Sequence, residues 1–88
     1  MIVRVLIDLP ADHLYHRATL GALRDASSFL GVALQTHVVP TDTIRDVDHL
    51  VQPGIAVVIG PGSPYRDQDA AHAVVKAARE RGVPLVGT

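Results

Sequence analysis

At 88 residues and 9.4 kDa the chain makes one domain at most, and having no cysteine it contains no disulfide, no Cys-based zinc site and no thiol nucleophile. A net charge of −1 with scattered Lys and Arg excludes the electrostatic footprint of a nucleic-acid or anionic-membrane binder, and the three aromatic residues offer little for stacking on bases. With 48% hydrophobic residues and so few rings, the core must be Val, Leu, Ile and Ala, the usual filling of a parallel sheet covered by helices.

The first element is a strand over Ile2–Ile7, almost continuously apolar and too short, with Arg4 inside it and Asp8 after it, for a signal core or a membrane span. From Ala11 to Leu30 the residues Leu14, Ala18, Ala22, Ala26 and Leu30 recur every four positions, flanked by Tyr15, Leu23 and Phe29. That period predicts an amphipathic helix with Gly31 as its left-handed cap. Val32–Val39 alternates and predicts an edge strand closed by Pro40. Thr41 or Asp42 is expected to cap a short helical turn, with loop from there to Gly54. Ile55–Ile59 has no polar residue and suits the centre of the sheet. After a Gly-Pro turn, Asp67 or Asp69 is placed to cap a helix with Ala70, Ala71, Val74, Val75 and Ala78 on its inner face and Lys76, Arg79, Glu80 and Arg81 in solvent. Gly82 ends it, and Val83–Val86 forms a fourth strand. This alternation predicts an α/β fold of Rossmann-like, flavodoxin-like topology: a parallel sheet of order 2-1-3-4 with helices on both faces.

Ligands of such sheets bind beyond the carboxyl ends of the strands, here 8–12, 60–67 and 87–88. Gly60 and Gly62 would let backbone N–H groups approach an anion or a developing oxyanion, with a helix N-terminus behind them; a tight turn that needs Gly and Pro is the plainer reading. Neither an NTPase phosphate loop nor a dinucleotide fingerprint is present, since the lone Lys76 lies on a helix and no Gly-x-Gly-x-x-Gly occurs, so no cofactor is expected. His13 and His16 have helical spacing for a shared metal but no carboxylate completes a set; no metal site is expected. Asp8 and Asp12 read as strand-ending and capping residues before they read as an acid/base pair.

The runs Val57-Val58-Ile59-Gly60-Pro61-Gly62-Ser63-Pro64-Tyr65-Arg66-Asp67 and Ala77-Ala78-Arg79-Glu80-Arg81-Gly82-Val83-Pro84-Leu85-Val86-Gly87 resemble class I glutamine amidotransferase domains. The nearest are the C-terminal domains of CTP synthases and the CTP-synthase C-terminal-region-related proteins, some of which use selenocysteine. The stretch Asp8-Leu9-Pro10-Ala11-Asp12-His13-Leu14-Tyr15 to Leu23 is similar to their opening loop and first helix. The resemblance implies that residues 1–88 are the N-terminal half of such a domain, ending one residue before the nucleophile of the elbow that Gly87 and Thr88 approach. It implies that Gly62, with Gly60 and Ser63 beside it, holds glutamine and the oxyanion, although Ser63 stands where the family has glycine and Pro64 lacks an N–H. The family's nucleophile, His and Glu have no counterpart here, so glutaminase activity is not expected of the chain alone, and an in-frame UGA after Thr88 is one expected cause of its ending. Partners implied are glutamine in the full-length domain and either the missing half or further copies of the chain, with no nucleic acid and no membrane; the cytoplasm is the expected location. The competing expectations are a non-catalytic half-domain that docks on a partner and an independent small-ligand domain of flavodoxin-like topology.

Overall fold

A computed structural model describes residues 1–10, 12–60 and 65–87. Strands β1 (Ile2–Leu6), β2 (Gln35–Val39), β3 (Ile55–Ile59) and β4 (Leu85–Gly87) form one sheet in the order β2-β1-β3-β4, every pair parallel. The strand order reverses at β1, and the two faces of the sheet are covered by different helices. On one face Val3, Val5 and Ile7 pack with Leu20 and Leu23 of α1 (Leu14–Leu30) and with Leu34, Ala56 and Val58. On the other, Leu6, Val57 and Ile59 pack with Leu50 of α2 (Val47–Leu50), with Val51, and with Val74, Ala77 and Ala78 of α3 (Gln68–Arg81). Strictly alternating side chains of β1 and β3 thus feed two separate apolar layers. Among the described residues no helix is long and apolar enough to cross a membrane.

Helix α1 departs from the expected orientation. Its inner face is His16, Leu20, Leu23 and Ser27, whereas Leu14, Ala18, Ala22, Ala26 and Leu30 are all exposed. A strict step of four residues turns about 400°, so the predicted stripe drifts ~40° per step around the helix, while alternating steps of four and three stay on one face. Leu20 and Leu23 also bring more apolar area to the sheet than alanines do. The start lies at Leu14 rather than Ala11: the His13 side chain accepts the Tyr15 amide at 3.1 Å and caps the first turn. At the other end Gly31 takes φ 67°, the expected left-handed cap.

Two strand boundaries shift because a neighbouring helix cap claims the backbone first. Val32 donates to Ser27 O at 3.2 Å and accepts from the Ser27 hydroxyl, so β2 begins only at Gln35, not Val32. Val83 donates to Ala78 O at 2.9 Å within the cap of α3, and β4 runs Leu85–Gly87 rather than Val83–Val86. The turn at Thr41–Thr43 is a 3-10 turn preceded by Pro40, which makes no side-chain cap, so neither Thr41 nor Asp42 plays the expected capping role. The segment expected as loop to Gly54 instead contains α2, one helical turn whose Asp46 side chain accepts from Asp48 N and His49 N. Asp67 caps α3, accepting Ala70 N at 2.9 Å, and Ala77 joins the inner face while Ala70 and Val75 are half-buried.

Candidate functional site

The carboxyl ends of β1, β2 and β3 are tied together by one carboxylate. Asp8, two residues past β1, has its Oδ1 accepting the Thr41 amide at 2.8 Å; its Oδ2 accepts the Thr41 hydroxyl at 2.7 Å and the Arg66 amide at 2.8 Å. Thr41 is wholly buried, and its hydroxyl oxygen also accepts the Asp67 amide at 2.9 Å. The chain of contacts therefore runs from the end of β1 through the start of the 3-10 turn to the N-cap of α3. Each donor meets an acceptor, as a polar group out of reach of water requires.

Burial works to raise the pKa of the Asp8 carboxyl, but the Arg66 amide, the Thr41 hydroxyl and amide, and the Arg66 charge outweigh it and hold the group below the usual carboxylate value. Asp8 is consequently held as an anion that already accepts three hydrogen bonds, which suits a positioning group better than a proton shuttle. Asp12 is exposed and takes no part in this cluster. The Arg66 guanidinium reaches back to Asp42, 3.8 Å away, in solvent.

The segment 60–67 is fixed at both flanks. The Gly60 amide donates to Leu6 O at 2.8 Å, and a Cβ on Gly60 would overlap Ile7 Cγ1 and lie 3.1 Å from Leu6 O, so only glycine lets β3 run this close to β1. On the far flank the Tyr65 hydroxyl donates to Gly60 O at 3.0 Å. Burial and then the Asp8 charge push the Tyr65 phenol up, which keeps this donor protonated. Because the Gly60 N–H is already engaged, the oxyanion reading passes to Gly62, which with Ser63 lies outside the described residues, as does Thr88. Gly87 ends β4 opposite Ile59, and the place of its absent side chain is open space.

Of the two histidines with helical spacing, His13 at the N-cap accepts the Tyr15 amide through Nδ1 at 3.1 Å, and buried His16 contacts Leu9 O through Nδ1 at 2.9 Å. Among the described residues no group of three or more His, Asp or Glu side chains could hold a metal ion. Sequence reasoning weighed Asp8 but missed Thr41 and Arg66 as its partners. The available signal was a polar residue just beyond the carboxyl end of each strand, Asp8 after β1 and Thr41 after β2, where the sheet topology makes them converge. Comparison with protein-family models, with curated proteins and with solved structures finds no match.

Proposed function

We propose that the chain is the N-terminal half of a class I glutamine amidotransferase-like domain, nearest in type to the C-terminal domain of CTP synthase. In this reading the segment after β3 supplies amide donors for the glutamine side chain and its oxyanion, and β4 leads to a cysteine or selenocysteine at the position following Thr88. The observation that carries the reading is the register of β4 on β3. Ile59 pairs with Gly87, so the residue before the glycine turn and the last residue of β4 lie side by side at the carboxyl edge. A nucleophile just beyond β4 and amide donors just beyond β3 need this adjacency, since attack and oxyanion binding involve the same carbonyl group. The Asp8–Thr41 cluster supports the reading by anchoring Arg66 and Asp67, beyond the turn, to β1 and β2.

The nucleotides beyond the Thr88 codon give one test. UGA or a cysteine codon followed in frame by a Gly-Gly-Phe-Gln-like continuation is the expected result; UAA or UAG overturns the reading. A second test is amide chemical-shift mapping of the 88-residue chain with glutamine. Shifts confined to Gly62, Ser63, Tyr65 and Gly87 are expected, with no ammonia released; shifts elsewhere, or glutaminase activity of this chain alone, contradict the assignment.

A further inference from the structure

Helix α1 turns Leu20 and Leu23 to the sheet and leaves a second, longer apolar stripe facing away from it. The outer stripe, Leu14, Tyr15, Ala18, Ala22, Ala26, Phe29 and Leu30, is left in solvent: Phe29 is 90% exposed, Leu14 69%, Leu30 68% and Tyr15 57%. It continues at Ala18 and Ala22 into a shallow apolar groove completed by Thr19, Leu23, Val58 and the 61%-exposed Val86 of β4. Scattered exposed apolar residues are ordinary, but a contiguous patch running the length of a helix is not.

The order of residues in this stripe is palindromic about Ala22. Read outward in either direction it gives alanine (Ala18 or Ala26), then an aromatic ring (Tyr15 or Phe29), then leucine (Leu14 or Leu30). We infer that the outer face of α1 docks on the same face of a second copy of this chain, antiparallel, with the two-fold axis passing at Ala22. Under that rotation Ala18 lies level with Ala26 of the other copy, Tyr15 with Phe29 and Leu14 with Leu30. Small residues thus meet at the crossing and large ones close both ends, the self-complementarity a two-fold interface requires.

Charge and area agree with this occupant. Asp25 and Arg17 lie on the same side of the stripe, and the two-fold keeps that side. Asp25 of one copy comes within about 3 Å, measured along the helix axis, of the level of Arg17 of the other. Neither residue has an ion pair within its own chain among the described residues. Counting ~150–250 Å² for a whole aromatic side chain, the stripe and its groove offer on the order of 700 Å² per copy, near the ~800 Å² per partner of a standard interface.

Sedimentation velocity of the full 88-residue chain across its soluble range tests the inference, and it is independent of any reading of the glutamine site. A concentration-dependent dimer is expected. Ala22→Glu, which sets two carboxylates on the axis at an exposed position, is expected to yield a folded monomer by circular dichroism. Packed helices lie ~8–10 Å between axes, and with Cα atoms ~2.3 Å from each axis a separation of ~9–10 Å puts the facing Cα atoms at position 22 about 4.4–5.4 Å apart, within the ~4.4–6.8 Å that a disulfide spans. Because the native chain has no cysteine, Ala22→Cys should cross-link on oxidation while Ala73→Cys on α3 should not. Arg17→Asp should weaken the dimer at least tenfold, and Asp25→Arg added to it should restore it. A monomer at all concentrations overturns the proposal, as does a dimer that Ala22→Glu leaves intact or an Ala22→Cys variant that stays uncross-linked.

Discussion

Replacing Thr41 by valine removes one oxygen and almost no volume, and the cluster at the carboxyl edge predicts that this is costly. The hydroxyl donates to the Asp8 carboxylate at 2.7 Å and accepts the Asp67 amide at 2.9 Å, with Thr41 wholly buried. A hydrogen bond to a charged group contributes ~1.5–3 kcal/mol, and a buried amide stripped of its acceptor costs ~1–3 kcal/mol. Asp8 keeps two backbone donors in the variant, so the lower half of the combined range applies, about 3 kcal/mol. For a domain of this size that corresponds to a fall in Tm of roughly 12–24 °C. Urea unfolding followed by circular dichroism measures it as a shift in midpoint at constant slope. Thr41→Ser, which keeps both contacts and loses one methyl, is expected to cost only about 1 kcal/mol. If Thr41→Val lies within ~0.5 kcal/mol of the parent chain, the cluster does not hold these loops together.

The same cluster sets the acid limb of stability. The folded-state pKa of Asp8 lies below its unfolded value of ~3.9, so its contribution is complete above that pH and disappears as the pH falls through the folded value. Asp8→Asn should flatten the urea midpoint below about pH 4, and an unchanged acid limb would exclude Asp8 as its source. At the alkaline end the sign reverses: the Tyr65 phenol is raised, so its contribution is present below ~10 and lost as pH rises through the folded value. Tyr65→Phe should cost about 1 kcal/mol at neutral pH and remove that loss, read from the same unfolding curves. Gly60→Ala, whose Cβ meets Ile7 and Leu6 O, should destabilise by about 1–3 kcal/mol, while Gly87→Ala, which meets open space, should stay within ~0.5 kcal/mol. In a monomeric Ala22→Glu background, Leu23→Ala should cost about 2 kcal/mol and Leu14→Ala less than ~0.5, compared by thermal denaturation.

The strand order and the number of strands were legible because β1 and β3 are unbroken apolar runs, and because Gly31, Asp67 and Gly82 punctuate the helices by local chemistry alone. Local chemistry also explains the misplaced boundaries: the Val32 amide is taken by Ser27 O in the cap of α1 and the Val83 amide by Ala78 O in the cap of α3, so neither valine starts a strand. Helix α2 escaped notice because four residues make too short a window for a period, and only Asp46 marks its start. The site was harder still. Asp8 lies 33 residues from Thr41 and 58 from Arg66, and nothing in any of the three segments specifies a partner at that distance.

Helix α1 shows where periodicity stops being informative. The outer stripe is apolar at helical spacing and the inner face carries Leu20 and Leu23 between His16 and Ser27, and a hydrophobic pattern reports that a face is to be covered without naming what covers it. The sheet takes the face with Leu20 and Leu23, because β1 and β3 present Val3, Val5 and Val58 there and the larger side chains fill that layer. His16 fixes the choice from the other end: its Nδ1 meets Leu9 O at 2.9 Å, a contact available only when this face turns inward beside the end of β1. The more regular stripe is thereby displaced to the surface. An apolar face that the chain's own sheet declines, and whose order of small, aromatic and leucine side chains is the same from both ends, is better understood as written for a copy of itself than as a failure of the pattern.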